Sequence, residues 1–379
     1  MTPRDRIVHV VGTLEAGGAE RFVVSLACEL QRRGWEMALI ALGARTDAAG
    51  RNMAKDLEEA GVPLSVGPTA DIRLRSVLWY LGEMRRARPR LLHVHTPNTE
   101  TMQMLVPPPW RPRVGVVRTV HNTNLEITDM HVYSTRSLEV ACSIFCSEAS
   151  LDWNKSWVQG PTRVIPYGVR LERPARTSVR SREAKRRLGL DPARLHFLAM
   201  GRMEGDDASK AQKAHDVLIP AFRASGVAAS GALLHLLGDG NLRPRLEALA
   251  DGDPAILFHG VRGDAPDFLL AADCFVMPSR WEGLPVAGIE AVTSGLPCIF
   301  SRIGPLEELR PPVAQWCGVD DRDGLAAALR QFAAHPVEPD AGAVRDVRER
   351  FGIAHAAASY AEIYRGLGLA PAETGASAR

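Results

Sequence analysis

Short apolar runs rich in Val, Ile and Leu recur along this chain, alternating with longer stretches whose apolar positions return every three or four residues. Residues 7–12 form the first run. A Gly-containing turn follows, then residues 19–33 at helical spacing, which predicts a β-α start. Further runs at residues 37–42, 64–66, 91–95, 114–120 and 143–146 predict strands, separated by helix-like or turn-rich segments. Strands buried on both faces read as continuous apolar runs, so the alternation predicts an α/β protein with parallel sheets covered by helices.

The pattern breaks after Val164-Ile165-Pro166-Tyr167-Gly168-Val169, where residues 173–187 are basic, contain a proline and show no strand pattern. It then restarts. Residues 196–200, 233–237, 256–258, 274–277 and 297–300 read as strands, with helices at 213–224, 242–250, 266–271, 286–293 and 354–367. A chain of 379 residues exceeds one ordinary open α/β core. The break therefore predicts two doubly wound Rossmann-like domains, 1–170 and 171–352. Residues 353–379 are expected to supply a helix returning to the first domain and a polar tail. Two such domains end to end leave a central cleft at the carboxyl ends of their strands, where ligands collect.

Composition adds exclusions. With 46% apolar and 24% charged residues, the chain fits a soluble globular protein. No apolar stretch reaches the roughly 18 residues a membrane span needs. The polar start, Met1 to Arg6, predicts no secretory leader and a cytoplasmic protein. Cys28, Cys142, Cys146, Cys274, Cys298 and Cys317 form no CxxC pair, so buried free thiols are expected rather than disulfides or zinc. The net charge of +2 says little, but residues 73–118 hold nine Arg against two Glu. Within that stretch, residues 74–86 read as an amphipathic helix. Its charged face is either the solvated flank of a domain or a contact for an anionic membrane or acceptor. No nucleic-acid-reading pattern is present.

The densest chemistry lies in Ser279-Arg280-Trp281-Glu282-Gly283-Leu284-Pro285-Val286-Ala287-Gly288-Ile289-Glu290-Ala291. A strand runs into a loop bearing Glu282 and Gly283, and Pro285 is expected in the first turn of the next helix. The N–H groups of such a helix start can bind an anion. Glu282 is expected to project from the loop, with Glu290 about a turn and a half into the helix. Two carboxylates so placed can accept hydrogen bonds from two polyols, such as a sugar and a ribose. Taken alone, either carboxylate is an ordinary turn or surface residue.

This stretch resembles the E-x7-E signature of the retaining GT-B glycosyltransferases of family 4, in the Glu282-Gly283-Leu284-Pro285 form seen in members that build bacterial surface polysaccharides. Other segments resemble the same family, in the same order. They are Gly17-Gly18-Ala19-Glu20-Arg21, His93-Val94-His95, Thr119-Val120-His121-Asn122, Ile165-Pro166-Tyr167-Gly168-Val169, Gly201-Arg202-Met203 and Gly238-Asp239-Gly240 followed by Leu246-Glu247. The resemblance implies a GT-B fold and transfer of a sugar from a nucleoside-diphosphate donor, UDP-linked in preference to GDP-linked. The implied acceptor is a saccharide or polyprenyl-linked saccharide, with possible contact to the inner membrane.

Site roles follow by the same resemblance. A departing nucleoside diphosphate carries two or three negative charges that must be stabilised. Arg202, Lys213 and the backbone at Gly18 are implied to do this without a metal ion or other cofactor. Gly260, Val261, Glu282, Gly283, Leu284, Pro285 and Glu290 complete the donor side, and Gly17, His95, His121 and Asn122 form the acceptor side. His121 is implied to contact the donor sugar near the reacting carbon. The family places its lysine six residues after the arginine. Here Glu204-Gly205-Asp206-Asp207-Ala208-Ser209 intervenes, leaving Lys210 and Lys213 as candidates. Lys213-Ala214-His215-Asp216-Val217-Leu218-Ile219 is the segment that resembles the family pattern, and the extra residues are expected to form a mobile flap.

Other motifs lead nowhere by this reading. Asp251-Gly252-Asp253 and Asp321-Arg322-Asp323 look like turn and cap carboxylates rather than metal ligands. Gly238-Asp239-Gly240 lacks the third glycine of a dinucleotide site, and no phosphate-binding G-x-x-x-x-G-K-[ST] loop occurs. His93 and His95 point the same way on one strand without an evident third ligand. Two alternatives remain within this architecture: a UDP-sugar 2-epimerase, and a non-catalytic partner subunit.

Overall fold

The computed structural model describes residues 6–15, 17–44, 48–121 and 136–372. The chain divides into two units, Met1–Arg170 with Gly352–Arg379, and Leu171–Phe351. Each is an α/β unit built on one parallel sheet.

In the first unit the strands are β1 (Ile7–Leu14), β2 (Met37–Ala44), β3 (Leu64–Val66), β4 (Leu91–Val94), β5 (Gly115–Val120), β6 (Cys142–Phe145) and β7 (Thr162–Val164). They lie in the order β3-β2-β1-β4-β5-β6-β7. The order reverses between β1 and β4, where His9 pairs in register with His93. Val8, Val10, Leu92 and Val94 of these central strands are fully buried, as a sheet covered on both faces requires. The helix Ile353–Gly366 belongs to this unit and packs on Gly18–Arg32. Its start is fixed by close backbone contact: Ile353 N–H donates to the Val169 carbonyl at 2.9 Å, and a Cβ on Gly168 would lie 2.6 Å from the Ile353 Cα.

One Arg and one Glu of the nine-Arg stretch are withdrawn from its surface, which leaves its net positive charge unchanged. Arg118 and Glu100 form a buried ion pair at 2.8 Å between β5 and the helix Pro97–Met104. A buried pair neutralises itself, so neither residue contributes to a surface patch.

The second unit holds β8 (His196–Met200), β9 (Leu233–Leu237), β10 (Ile256–Gly260), β11 (Cys274–Met277), β12 (Cys298–Ser301) and β13 (Ala314–Cys317), in the order β10-β9-β8-β11-β12-β13. The edge strands β7 and β13 escape the apolar pattern, because Thr-Arg-Val and Ala-Gln-Trp-Cys are mostly half-buried or exposed. The basic stretch after the first unit contains the helix Ser178–Arg187, capped by the Thr177 hydroxyl. Only Ser181, Ala184 and Lys185 are buried on it, so no apolar stripe marks it. Lys185 reaches Asp273 at 2.8 Å, and Arg176 meets the same carboxylate at 3.0 Å.

Candidate functional site

Two loops at the ends of β8 and β9 press together in the second unit. Gly201 N–H donates to the Leu237 carbonyl, and Met203 N–H to the Asp239 carbonyl. Gly238, at φ +132°, leaves no room for a side chain, since a Cβ there would lie 1.9 Å from the Gly201 oxygen. The glycines of this loop therefore serve backbone approach. Gly201 in turn faces the Lys213 stem, whose carbons would stand 2.8–3.0 Å from an added Cβ. Arg202 follows Gly201 directly, is exposed, and pairs with Glu204 at 3.3 Å.

Lys213 is thus brought beside the Gly201-Arg202 loop, and its ammonium meets Glu282 Oε1 at 2.6 Å. Lys210, by contrast, is exposed on the short turn Ala208–Lys210. The carboxylate of Glu282 does not project from its loop. It is buried, with Oε2 accepting a 3.0 Å hydrogen bond from the Gln212 amide, which also donates to the Trp281 carbonyl at 3.1 Å. A carboxylate this buried is held by such charge-assisted partners.

Arg280 fixes the same loops from behind. Its guanidinium forms a fork with Asp216 (3.0 and 2.8 Å), reaches Asp320 at 2.8 Å and donates to the Ala211 carbonyl at 2.7 Å. The residues between Arg202 and Lys213 are hydrogen-bonded to this frame and to one another. Gly205 and Asn241 exchange two hydrogen bonds, and Asp207 caps the turn Ala208–Lys210. Gln212 and Arg280 were missed as site residues by sequence reasoning. Arg280 stood inside the Glu282 motif, but nothing in the sequence announced its reach to Asp216.

Past Glu282, the buried Gly283, Leu284 and Pro285 lead into the helix Val286–Ser294. Pro285 occupies the N-cap rather than the first turn, with φ −76° and ψ 114°, and offers no side-chain cap to the helix N–H groups. Glu290 is half-buried on this helix. Gly260 ends β10 at φ +66°, its oxygen accepting from Gly238 N–H, and Val261 beyond it is exposed.

In the first unit, Gly17 is the N-cap of Gly18–Arg32. A Cβ on Gly17 would lie 1.9 Å from Glu20 Oε2, so the helix carries its own carboxylate at that end. His95 and His121 stand just beyond β4 and β5, and Asn122 lies outside the described residues. His121 Nε2 meets His95 Nδ1 at 3.0 Å, and its Nδ1 bonds the Tyr167 hydroxyl. His95 Nε2 meets His9 Nδ1 at 3.0 Å, and His9 Nε2 meets the Tyr364 hydroxyl at 3.2 Å. That hydroxyl contacts His93 Nδ1 at 2.7 Å, while His93 Nε2 contacts the Thr119 hydroxyl at 2.7 Å.

Burial pushes His9 and His121 down to about 3. Burial, then the neighbouring imidazoles, hold His93 and His95 well below the ordinary imidazole range. All four are neutral near pH 7. His9 is the third imidazole that the sequence did not pair with His93 and His95; ring nitrogens of the three lie within 4.8 Å of one another. Every one of those six nitrogens is engaged in the hydrogen bonds just described, so the cluster is satisfied as an imidazole network.

The remaining motifs take structural roles. Asp321 accepts from Gly324 N–H as the cap of Arg322–Ala334, and Asp251 sits in the left-handed position closing Arg243–Ala250. All six cysteines are buried free thiols, with burial raising Cys146 to about 12 and Cys317 to about 11. Among the described residues, no helix is long and apolar enough to cross a membrane.

Comparison with known proteins gives two family matches. Residues 16–173 match the model described as Glycosyltransferase Family 4, and residues 194–335 that described as Glycosyl transferases group 1. The chain is 28% identical over 228 residues to the lipopolysaccharide core biosynthesis mannosyltransferase LpsB of Rhizobium meliloti, covering 56% of this chain and 63% of that protein. It is 34% identical over 150 residues to the UDP-Gal:alpha-D-GlcNAc-diphosphoundecaprenol alpha-1,3-galactosyltransferase of Escherichia coli, covering 37% of this chain and 36% of that protein. These matches span between about a third and just under two thirds of the relatives' own length. In fold, the sucrose-phosphate synthase of Thermosynechococcus elongatus superposes with a TM-score of 0.75 at 20% identity, covering 96% of this chain and 99% of that one.

Proposed function

The chain belongs to the family 4 glycosyltransferases of GT-B fold, and on that premise we propose that it transfers a hexose or N-acetylhexosamine, with retention of configuration, from a nucleoside-diphosphate sugar to a saccharide or lipid-linked saccharide. The observation that carries this reading is Lys213 held against the buried Glu282 beside the Gly201-Arg202 loop. Arg202 and Lys213 supply two cations for a pyrophosphate leaving group, and the uncapped start of Val286–Ser294 adds oriented N–H donors. In this role they replace a divalent ion. Glu282 contacts the sugar and Glu290 the ribose, while Gly260 and Val261 meet the base through the backbone.

A UDP-linked donor and a polyprenyl-diphosphate acceptor are supported by the specificity named for the galactosyltransferase relative. Peripheral contact with an anionic membrane is supported by Ile72, Leu74 and Leu78, which are exposed beside the exposed Arg73 and Arg75. The test is to incubate the chain with UDP- and GDP-sugars, alone and with a polyprenyl-diphosphate-linked saccharide, in chelator. The expected result is acceptor-dependent release of nucleoside diphosphate and a product with the donor's anomeric configuration. An epimerised donor in the absence of acceptor, or an inverted product, contradicts the reading.

A further inference from the structure

The core of the first unit contains one unbroken chain of hydrogen bonds that the proposed reaction does not itself require. It runs Tyr360, Thr119, His93, Tyr364, His9, His95, His121, Tyr167. The histidines come from β1, from β4 and its end, and from the end of β5; Tyr360 and Tyr364 come from the returning helix Ile353–Gly366. A neutral imidazole has one N–H and one acceptor nitrogen. Each imidazole therefore passes the sense of one link to the next, and a hydroxyl that accepted on both sides would leave its own buried proton unused, so two arrangements use every link.

The ends distinguish the two. The Cys146 thiol, which donates to the His121 carbonyl at 3.8 Å, neighbours the Tyr167 hydroxyl and offers it a sulfur acceptor. Tyr167 can therefore accept from His121 and still donate. At the other end, the buried Tyr360 hydroxyl has Thr119 as its hydrogen-bond partner among the described residues, at 3.3 Å. Donation from Tyr360 toward Thr119 uses that proton, whereas the opposite sense strands it. Followed through, the satisfied sense places the proton on Nδ1 of His93, His9, His95 and His121.

We propose that the four imidazoles form a tautomer relay through which Tyr364 keeps the proton of His121 on Nδ1. His9, His95 and Tyr364 are positioning residues in this scheme. It rests on the reading that His121 acts at the transferred sugar, and it specifies the act. A sugar oxygen taking the place of the Tyr167 hydroxyl meets an N–H donor, not a base. Reversal moves one proton across each link and creates no charge.

The test is the two-bond proton–nitrogen spectrum of the full chain labelled with 15N-histidine, which separates Nδ1–H from Nε2–H rings, recorded before and after chelation. The expected spectrum has His9, His93, His95 and His121 in the Nδ1–H form. An Nε2–H ring among the four overturns the relay, as does a change on chelation, which assigns their nitrogens to a metal. In Tyr364→Phe, His9, His95 and His121 are expected to become mixtures, while His196, His235 and His259 of the other unit keep their shifts and report an intact fold. A His121 ring still wholly Nδ1–H in that folded variant overturns the proposal; where the variant does not fold, the parent spectrum decides. Tautomer mixing without any change in turnover upholds the relay and removes His121 from the transfer reaction.

Discussion

Glu282 and Glu290 stand eight residues apart in one motif, yet their surroundings assign them different work. Glu282 is buried and spends both oxygens on Lys213 and Gln212, whereas Glu290 is half-buried on the following helix. Removing the Glu282 carboxylate leaves Lys213 free to pair with a phosphate. Glu282→Ala is therefore expected to bind the bare nucleoside diphosphate at least as tightly as the parent while losing on the order of a hundredfold in turnover. Glu290→Ala is expected to weaken all nucleotides sharing the ribose, by about 1.5–3 kcal/mol for a charged hydrogen bond. Calorimetric titration beside steady-state rates separates the two, and the opposite pattern exchanges their roles. The carboxylates were legible from spacing and resemblance. Gln212 was not, because an amide between two polar loops has no pattern until the loops are folded together.

Arg280 works at the scale of elements. It joins the start of His215–Ser225 through Asp216, the preceding turn through the Ala211 carbonyl, and Asp320 near the start of Arg322–Ala334. Arg280→Ala leaves Asp216 without its fork and is expected to cost about 3 kcal/mol of stability. Because the same loops hold Lys213 and Glu282, nucleotide affinity should fall as well. A denaturant titration unchanged from the parent contradicts this account. The strands that flank these loops were readable because buried parallel strands must be apolar throughout. The edge strands β7 and β13 and the helix Ser178–Arg187 were not, since each buries too little apolar surface to leave a periodic trace. The extra residues before Lys213 were expected to form a flap because they stand outside the family spacing. The bonds that secure them come from Asn241 and Arg280, distant in sequence.

For the molecule as a whole, the histidine chain makes folding sensitive to acid. His9 titrates near 6.5 when unfolded and at about 3 when folded, because burial disfavours its charge. The unfolded chain therefore binds more protons between those values, and stability falls as the pH drops below 6.5. At pH 5 this one residue costs about 2 kcal/mol, and His121, lowered likewise, adds to it. The expected result is a midpoint of denaturation that is level above pH 7 and falls steeply between pH 6.5 and 5. A flat profile over that interval would mean that these imidazoles are not buried neutral.

The central claim is that two side chains of the second unit hold a pyrophosphate without a divalent ion. Its most direct test is the affinity of UDP, GDP and ADP for the full chain in chelator, compared between the parent and Lys213→Ala. One of the three should bind the parent without metal, and Lys213→Ala should weaken it by about 1.5–3 kcal/mol, roughly ten- to a hundredfold. Equal affinities in the two proteins, or binding to the parent only when a divalent ion is restored, would contradict the account.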